Sequence, residues 1–204
     1  MRSAFGNSQI NVPTVCRPIL RREPETVTVY AFELHFSAPP GEHVIDALYE
    51  VGWDDAVIGL DPETGGEGSA FFDREAPSAL QAVVSAIRQG RRAGVEPLGV
   101  SEDYVSLKEI AERTGRTVGA VDHWVTSRRG PGDFPEPRVP RPRVSLYSWA
   151  EVSMWLVANG LAALSPADVE IARICEVADA TLRARRLQRR LPQADQEALV
   201  AAVA

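Results

Sequence analysis

Residues 26–36 alternate between two faces, and from Tyr30 to Phe36 every second residue is a large apolar one, a period typical of a strand with one buried face. The positions predicted to face the core are Tyr30, Phe32, Leu34 and Phe36. The positions predicted to face outwards are Val29, Ala31, Glu33 and His35. The chain therefore begins its regular structure with a strand that covers a core on one side only.

The period then changes to that of a helix and back again. Apolar residues recur at helical spacing from Val44 to Val51 and from Leu80 to Ile87. Short strands are predicted at 55–60, 69–73 and 95–100, separated by turns that contain glycine or proline. The order β-α-β-β-α-β is that of the ferredoxin-like fold, a small sheet with both helices on one side. We therefore expect an α+β protein with a ferredoxin-like domain at residues 26–103.

Residues 104–126 have the pattern of two short helices joined by a tight turn. Ser106 and Glu109 form a capping box, in which hydroxyl and carboxylate satisfy free N–H groups at a helix start. Gly115 lies at the turn, where left-handed backbone costs glycine little, and Thr117 can cap the second helix. The positions predicted to be buried are Leu107, Ile110, Ala111, Val118, Val121, Trp124 and Val125.

A basic, proline-rich stretch and a third helix follow. Residues 128–132 are predicted to form a loop, because glycine and proline break any helix there. Residues 134–137 are predicted to be extended, since each proline restricts the residue before it. Ser148 and Glu151 form a second capping box at the start of a helix. The positions predicted on the buried side of that helix are Trp149, Val152, Trp155 and Leu156.

The order of the segments EIAERTG, VDHW, FPEP and LYSWAEVSMWL resembles the MerR-type and excisionase-type winged helix-turn-helix proteins of bacteria. The resemblance covers residues 104–158. It implies a DNA-binding domain at 104–160, with the second helix in the major groove and the wing on the flanking backbone. The groove-facing positions would be Thr117, Val118, Gly119, Asp122, His123 and Thr126. The cationic contacts would come from Arg128, Arg129, Arg138, Arg141 and Arg143. Asp122 departs from this pattern, because it is an acid facing a polyanion.

The distribution of charge modifies that expectation. The chain has a net charge of −6, yet residues 104–147 carry 8 basic and 5 acidic side chains, against 4 and 14 in residues 26–103. Attraction to phosphates acts over roughly 8–10 Å, so the local patch outweighs the distant total. A domain this mildly basic binds DNA weakly alone. We therefore expect a homodimer or a protein partner, and the acidic domain is a candidate surface for such a partner.

Other candidate chemistry is weakly supported. His35, His43, Asp54, Asp55 and Asp61 have side chains of the types that bind metals, but no pair has the spacing of a known ligand motif. The glycines of the loop 65–68 suit a phosphate, whereas the neighbouring acids would repel one. Cys16 and Cys175 are solitary, and we interpret both as reduced and structural. We therefore expect no metal, no cofactor and no enzymatic activity.

The two ends of the chain differ. The first 25 residues contain three prolines without a clear period, and we expect an arm there. Residues 161–204 are predicted to be helical, beginning at Ser165 and Pro166, with an apolar stripe from Ile171 to Leu182. The basic stretch Arg183–Arg190 could bind DNA phosphates, bind an acidic face of another chain, or form a solvated helix end.

These features predict a cytoplasmic, sequence-specific DNA-binding protein, a bacterial transcriptional regulator that acts as a dimer. Two alternatives stay open, a protein-interaction adaptor and an excisionase-like accessory factor in recombination, phage or plasmid biology. For the dimer contact we favour the outer sheet face with Val27, Val29 and Ala31. The stripe Ile171–Leu182 is shorter than a coiled coil requires. No apolar run approaches the roughly 20 residues that cross a bilayer, and no signal peptide is recognisable.

Overall fold

The computed structural model of the chain describes residues 27–39, 43–61 and 66–203. The expected N-terminal arm, Cys16 and residues 62–65 of the loop that follows Asp61 lie outside these ranges. None of the helices within them is long and apolar enough to cross a membrane.

The first part of the described chain is a four-stranded antiparallel sheet with two helices. Its elements are β1 (Thr28–Ser37), α1 (Val44–Glu50), β2 (Ala56–Leu60), β3 (Glu67–Ala76), α2 (Ala79–Arg92) and β4 (Glu96–Val100). The strands lie in the order β2-β3-β1-β4. The element order expected from the sequence is confirmed. β3 is longer than expected, because it pairs with β1 along all ten of its residues, from Glu67 to Ala76.

The core of this part lies on one face of the sheet. The four positions of β1 predicted to be buried are buried, as are Leu48 of α1 and Ala82 of α2. Trp53, between α1 and β2, is fully buried and donates its indole N–H to the carbonyl oxygen of Ala86 at 3.2 Å. Its ring packs edge-on against Phe36 and Phe72. Trp53 therefore fixes α2 against the sheet.

α2 buries only part of the stripe predicted for it: Val83 is buried, and Val84 and Ile87 are half-buried. The buried residues are Ala79, Ala82, Val83, Ala86 and Gly90, whereas Leu80 is 55% exposed. Small residues allow the helix to approach Trp53 closely: a Cβ built on Gly90 would lie 2.8 Å from the Trp53 ring. Leu80 therefore lies away from the core, whereas Val83 is part of it. Ile45 of α1, also expected in the core, is 36% exposed.

One charged residue lies in this core. Arg74 of β3 is 5% exposed, and its guanidinium binds both carboxylate oxygens of Asp55 at 2.7 Å. It also donates to Ser85, Gln89 and the carbonyl oxygen of Gly52. All five guanidinium N–H groups therefore have acceptors. Asp55, considered as a metal ligand from the sequence, is instead the counter-ion of this arginine.

The second part of the described chain is mostly helical. Its elements are β5 (Tyr104–Val105), α3 (Leu107–Thr114), α4 (Val118–Val125), β6 (Tyr147–Ser148), α5 (Trp149–Ala158), α6 (Pro166–Gln188) and α7 (Gln193–Val203). β5 and β6 pair antiparallel and form a separate two-stranded sheet. A second hydrophobic core joins α3, α4 and α5, with Val105, Ile110, Val121, Val152 and Leu156 fully buried.

α6 belongs to both cores. Ala172 packs with the second core, and Cys175 and Leu182 pack with the first. Asp179 accepts a hydrogen bond from the backbone N–H of Val100 at 3.1 Å, on the edge of the first sheet. Burial raises the pKa of the Cys175 thiol to about 12. The stripe Ile171–Leu182, an alternative dimer contact in the sequence, is thus used within the chain.

Candidate nucleic-acid interface

The helical pair formed by α3 and α4 is fixed by local capping. The Ser106 hydroxyl accepts from the Glu109 N–H, and the Glu109 carboxylate accepts from the Ser106 N–H at 2.7 Å. The Ser106 hydroxyl also donates to the Glu109 carboxylate at 2.7 Å, and this hydrogen bond, together with the one from the Ser106 N–H, lowers the pKa of Glu109. Gly115 ends α3 in the left-handed conformation, with φ 63°, and the Thr117 hydroxyl caps α4 by accepting from the Ala120 N–H. Each cap predicted for this pair is confirmed.

The inner side of the pair is closed by aromatic rings. Ile110, Ala111, Val121 and Trp124 are buried as predicted, whereas Val118 is 48% exposed, so its predicted burial is wrong. The Trp124 ring lies 5.7 Å from that of Trp155 on α5, between ring centroids. Phe134 packs edge-on against both Trp155 and Tyr147. The inner side of α4 therefore packs against aromatic rings, and the side that contains Val118 is exposed to solvent.

The loop after α4 is held against the same rings. The Trp155 indole donates to the carbonyl oxygen of Gly132 at 2.9 Å. Gly130 has φ 120°, and a Cβ there would lie 2.8 Å from the Trp124 ring. Arg128 and Arg129 immediately precede this glycine, and the backbone N–H groups of both point to the carbonyl oxygen of His123. The two arginines therefore extend from a defined backbone at the end of α4.

Two arginines lie on a short hairpin. Val139 and Leu146 exchange backbone hydrogen bonds of 3.1 and 3.0 Å, and residues 140–145 form the loop between them. Arg141 and Arg143 are in that loop and are exposed. No carboxylate of the described residues forms an ion pair with either of them, or with Arg129. Three uncompensated cations thus lie on the segment that follows α4.

Arg138, at the base of the hairpin, has a different environment. Its guanidinium binds Glu151 of α5 at 2.9 Å and Glu176 of α6 at 2.5 Å. Glu176 also accepts from the Ser148 hydroxyl at 3.1 Å. Two carboxylates compensate the charge of Arg138, so little attraction is left for a phosphate. The sequence predicted Arg138 as one of the arginines that contact DNA, whereas in the structure it connects the hairpin to α5 and α6.

The remaining candidate positions differ in exposure. Thr117, Gly119, Thr126 and Arg128 are exposed, and a Cβ on Gly119 would meet open space. Asp122 is half-buried and lies 3.7 Å from the Arg128 guanidinium, which compensates its charge. The Thr126 hydroxyl donates to the carbonyl oxygen of Asp122 at 2.7 Å.

His123 is less exposed than expected for a residue predicted to face the DNA groove. Its side chain is half-buried, and its Nδ1 is shielded from solvent. That nitrogen has no hydrogen-bond partner among the described residues. Only the remainder of the imidazole is left for an outside contact, so the outer face of α4 depends mainly on Thr117, Val118 and Gly119.

The first part of the chain holds one polar group that the sequence did not indicate. The Ser101 hydroxyl donates to Glu33 and lies 2.8 Å from Nε2 of His35, on the outer face of the sheet. The serine lies between histidine and carboxylate, whereas nucleophilic catalysis needs the histidine between the other two. Among the described residues, no group of three or more potential ligands could hold a metal ion.

Comparison of the chain with protein-family models, with curated proteins and with solved structures found no match.

Proposed function

We propose that this protein is a bacterial, sequence-specific DNA-binding protein, a transcriptional regulator that contains a winged helix-turn-helix. The observation that carries the proposal is the exposure of Val118 and Gly119 on α4, combined with three exposed and uncompensated arginines on the segment that follows this helix, Arg129, Arg141 and Arg143. An exposed helix beside cations on its flanking loops suits a major groove bordered by phosphates.

The order of elements supports this proposal. A capped helix, a turn at Gly115, a second capped helix and a hairpin follow one another within residues 106–146. In the proposed complex α4 is the recognition helix, and the hairpin 139–146 is the wing. In the first part of the chain, the strand order β2-β3-β1-β4 supports the ferredoxin-like assignment. That domain would serve association or sensing.

The exposed side chains of α4 suggest how bases would be read. Val118 suits the methyl group of thymine, an apolar contact that distinguishes this base in the major groove. Gly119 has no side chain, so the backbone of α4 can approach the base edges closely. Asp122 can accept a hydrogen bond from the amino group of cytosine, and Arg128 reduces its repulsion from phosphates.

A selection from random double-stranded DNA at low salt tests the proposal. We expect one enriched motif, and a salt titration of its affinity should give a slope of log K against log salt near −2.7, for about three phosphate contacts. The double variant R141A/R143A should reduce the slope by about 1.8. Arg92→Ala, an exposed arginine of α2, is the matched control and should leave the slope unchanged.

A protein-interaction adaptor is the second candidate, and the outer sheet face favours it. Val29, Val57 and Phe71 are 55%, 77% and 48% exposed there, and the acids Glu33 and Glu75 lie on the same face. Such a surface suits a basic protein partner. Selection that enriches no sequence, even at low salt, would favour the adaptor over the regulator. An enriched site that the protein bends strongly would favour an excisionase-like accessory factor.

A further inference from the structure

α2 and α6 lie side by side and leave an apolar groove of about 420 Å³. Its floor contains Leu80, Val84 and Ile87 from α2, and Ile174 and Val177 from α6. Leu80 is 55% exposed and Val177 is 64% exposed, so the groove is uncovered within the described chain. Ile87 and Ile174 are partly buried against the first core and form the inner part of the groove.

Arginines border the groove on both sides. Arg88 and Arg91 lie on the α2 side, and Arg185 lies on the α6 side. All three are exposed, and none forms an ion pair with a carboxylate of the described residues. The groove thus combines an apolar floor with three cations, and an occupant of matching chemistry would be an apolar helix with acidic flanks.

α7 has that chemistry. It buries no side chain, although Leu199, Val200 and Val203 are apolar. At about 100° per residue these three form one stripe, and Asp195 and Glu197 fall on its two opposite flanks. α7 contains no basic residue. An apolar stripe exposed to water is unfavourable, so the helix needs a surface to cover it.

The groove and the helix also agree in length. The segments 80–91 of α2 and 174–185 of α6 each rise by about 16 Å, and the 11 residues of α7 span about the same distance. α7 is not part of the lining of its own chain's groove. The connector between α6 and α7 forms local turns. The backbone N–H of Leu191 donates to the carbonyl oxygen of Gln188, and that of Asp195 donates to the carbonyl oxygen of Pro192.

We propose that α7 of one copy lies in the α2–α6 groove of a second copy, and that α7 of the second copy lies in the groove of the first. The result is a two-fold symmetric dimer with two identical helix-in-groove contacts. An extended connector of four residues reaches about 14 Å, so the C-terminal ends of the two α6 helices must lie close to the two-fold axis.

The competing surface for self-association, the outer sheet face, is less suitable. Glu33, Asp73 and Glu75 lie on it, so an isologous contact would bring like charges together. Exchange of α7 instead places Asp195 and Glu197 against arginines. The inference does not depend on DNA binding, because the dimer forms in the free protein.

The mass of the full chain at several concentrations, without DNA, is the first test. Leu199→Asp and Val203→Asp should each raise the dimer dissociation constant by at least about tenfold, because each places a charge against the apolar floor in both contacts. The matched control is Ala201→Asp, which adds the same charge on the opposite side of α7 and should leave the constant unchanged. Circular dichroism verifies that each variant keeps its helices.

A mixing experiment distinguishes exchange between copies from any other arrangement. Val177→Asp damages only the groove, and Leu199→Asp damages only the helix, so each variant alone should be a monomer. In a mixture, the intact helix of the first variant can fill the intact groove of the second. We therefore expect a heterodimer that neither variant forms alone.

Several results would overturn the proposal. A wild-type chain that stays monomeric at high concentration excludes the dimer. A dimer that both variants leave intact places the interface elsewhere, on the sheet face or another surface. Monomers that stay monomeric after mixing exclude exchange. A V177C/L199C chain that cross-links only within itself shows that α7 fills its own groove. None of these outcomes affects the selection for DNA binding, which is read separately.

Discussion

Arg74 shows how much of this fold depends on one polar side chain. It joins β3 to Asp55 before β2 and to Ser85 and Gln89 of α2, and it lies over the Phe72 ring at 4.7 Å. A buried cation is tolerated only when its charge and its donors are satisfied, and here both conditions are met. The residue therefore fixes the position of α2 on the sheet as well as compensating one acid.

Replacing Arg74 by Met should lower the free energy of unfolding by about 3 kcal/mol, because Asp55 and three other acceptors lose their donors. Arg74→Lys should retain only a small part of that free energy, since the lysine ammonium cannot place its donors in the planar arrangement of a guanidinium. Urea denaturation of the three proteins measures the difference. A Lys variant as stable as the wild type would show that charge alone matters at this position.

At the scale of elements, the sequence predicted the helices and strands and the buried face of β1, but it did not predict which side of α2 is buried. The capping residues Ser106 and Thr117 define helix starts by local hydrogen bonds, so a short stretch of sequence suffices. The buried side of α2 is chosen by Trp53, which lies 37 residues before Gly90 and leaves room only for small side chains. The periodicity of α2 itself contains no trace of that contact.

The candidate site shows the same limit. In the sequence, Arg138 lies close to Arg141, and both were predicted to contact DNA. Glu176, 38 residues further along, becomes the partner of Arg138 only because α6 packs against α5. The half-buried state of His123 likewise follows from packing behind α4. Arg141 and Arg143 lie exposed on one loop, where their DNA contacts stay a prediction, whereas the partners of Arg138 on distant helices could not be predicted.

Arg138 and Arg141 therefore make a matched pair of alanine variants. Arg138→Ala should lower thermal stability, because Glu151 and Glu176 lose their common partner, and should leave the salt dependence of DNA binding nearly unchanged. Arg141→Ala should leave the melting temperature unchanged and reduce the slope by about 0.9. Thermal denaturation and anisotropy measure the two effects. The reverse result would exchange the roles of the two residues.

The capping box of α3 gives a prediction about pH. Hydrogen bonds from Ser106 lower the pKa of Glu109 in the folded chain, so its contribution is present above the unfolded value of about 4.3 and is lost as pH falls through the folded value. Glu109→Gln should cost about 0.5 kcal/mol at pH 7, since the groups are exposed, and the difference from wild type should shrink below pH 4. Glu112→Gln, on the same helix but outside the cap, is the control for urea denaturation at each pH.

At the scale of the whole molecule, α6 unites two cores that the sequence presents as consecutive domains. It contributes Ala172 to one and Cys175 and Leu182 to the other, and Glu170 binds Tyr30 and the N–H of Ala79. Neither core is complete without this helix.

We therefore expect the described chain to unfold in one transition. In the variant W53F the remaining tryptophans, Trp124, Trp149 and Trp155, all belong to the second core, so their fluorescence reports that core alone. Circular dichroism reports the helices of the whole chain. The two urea curves should coincide. Two separated midpoints would show that α6 does not couple the cores.

The junction between the cores has a consequence for how this protein can be taken apart. The backbone N–H of Ser101 donates to the carbonyl oxygen of Glu33, and the backbone N–H of Trp149 donates to the carbonyl oxygen of Asp103. Residues 101–103 are therefore hydrogen-bonded to both parts of the chain. Proteases cleave exposed, flexible linkers, and this junction is not one. Limited digestion should therefore not release two stable halves. A piece cut to begin at residue 101 would keep α6 but expose Cys175 and Leu182 to water. The segment that we propose to bind DNA should therefore not fold by itself, and a chimera that moves it to another protein should include the sheet.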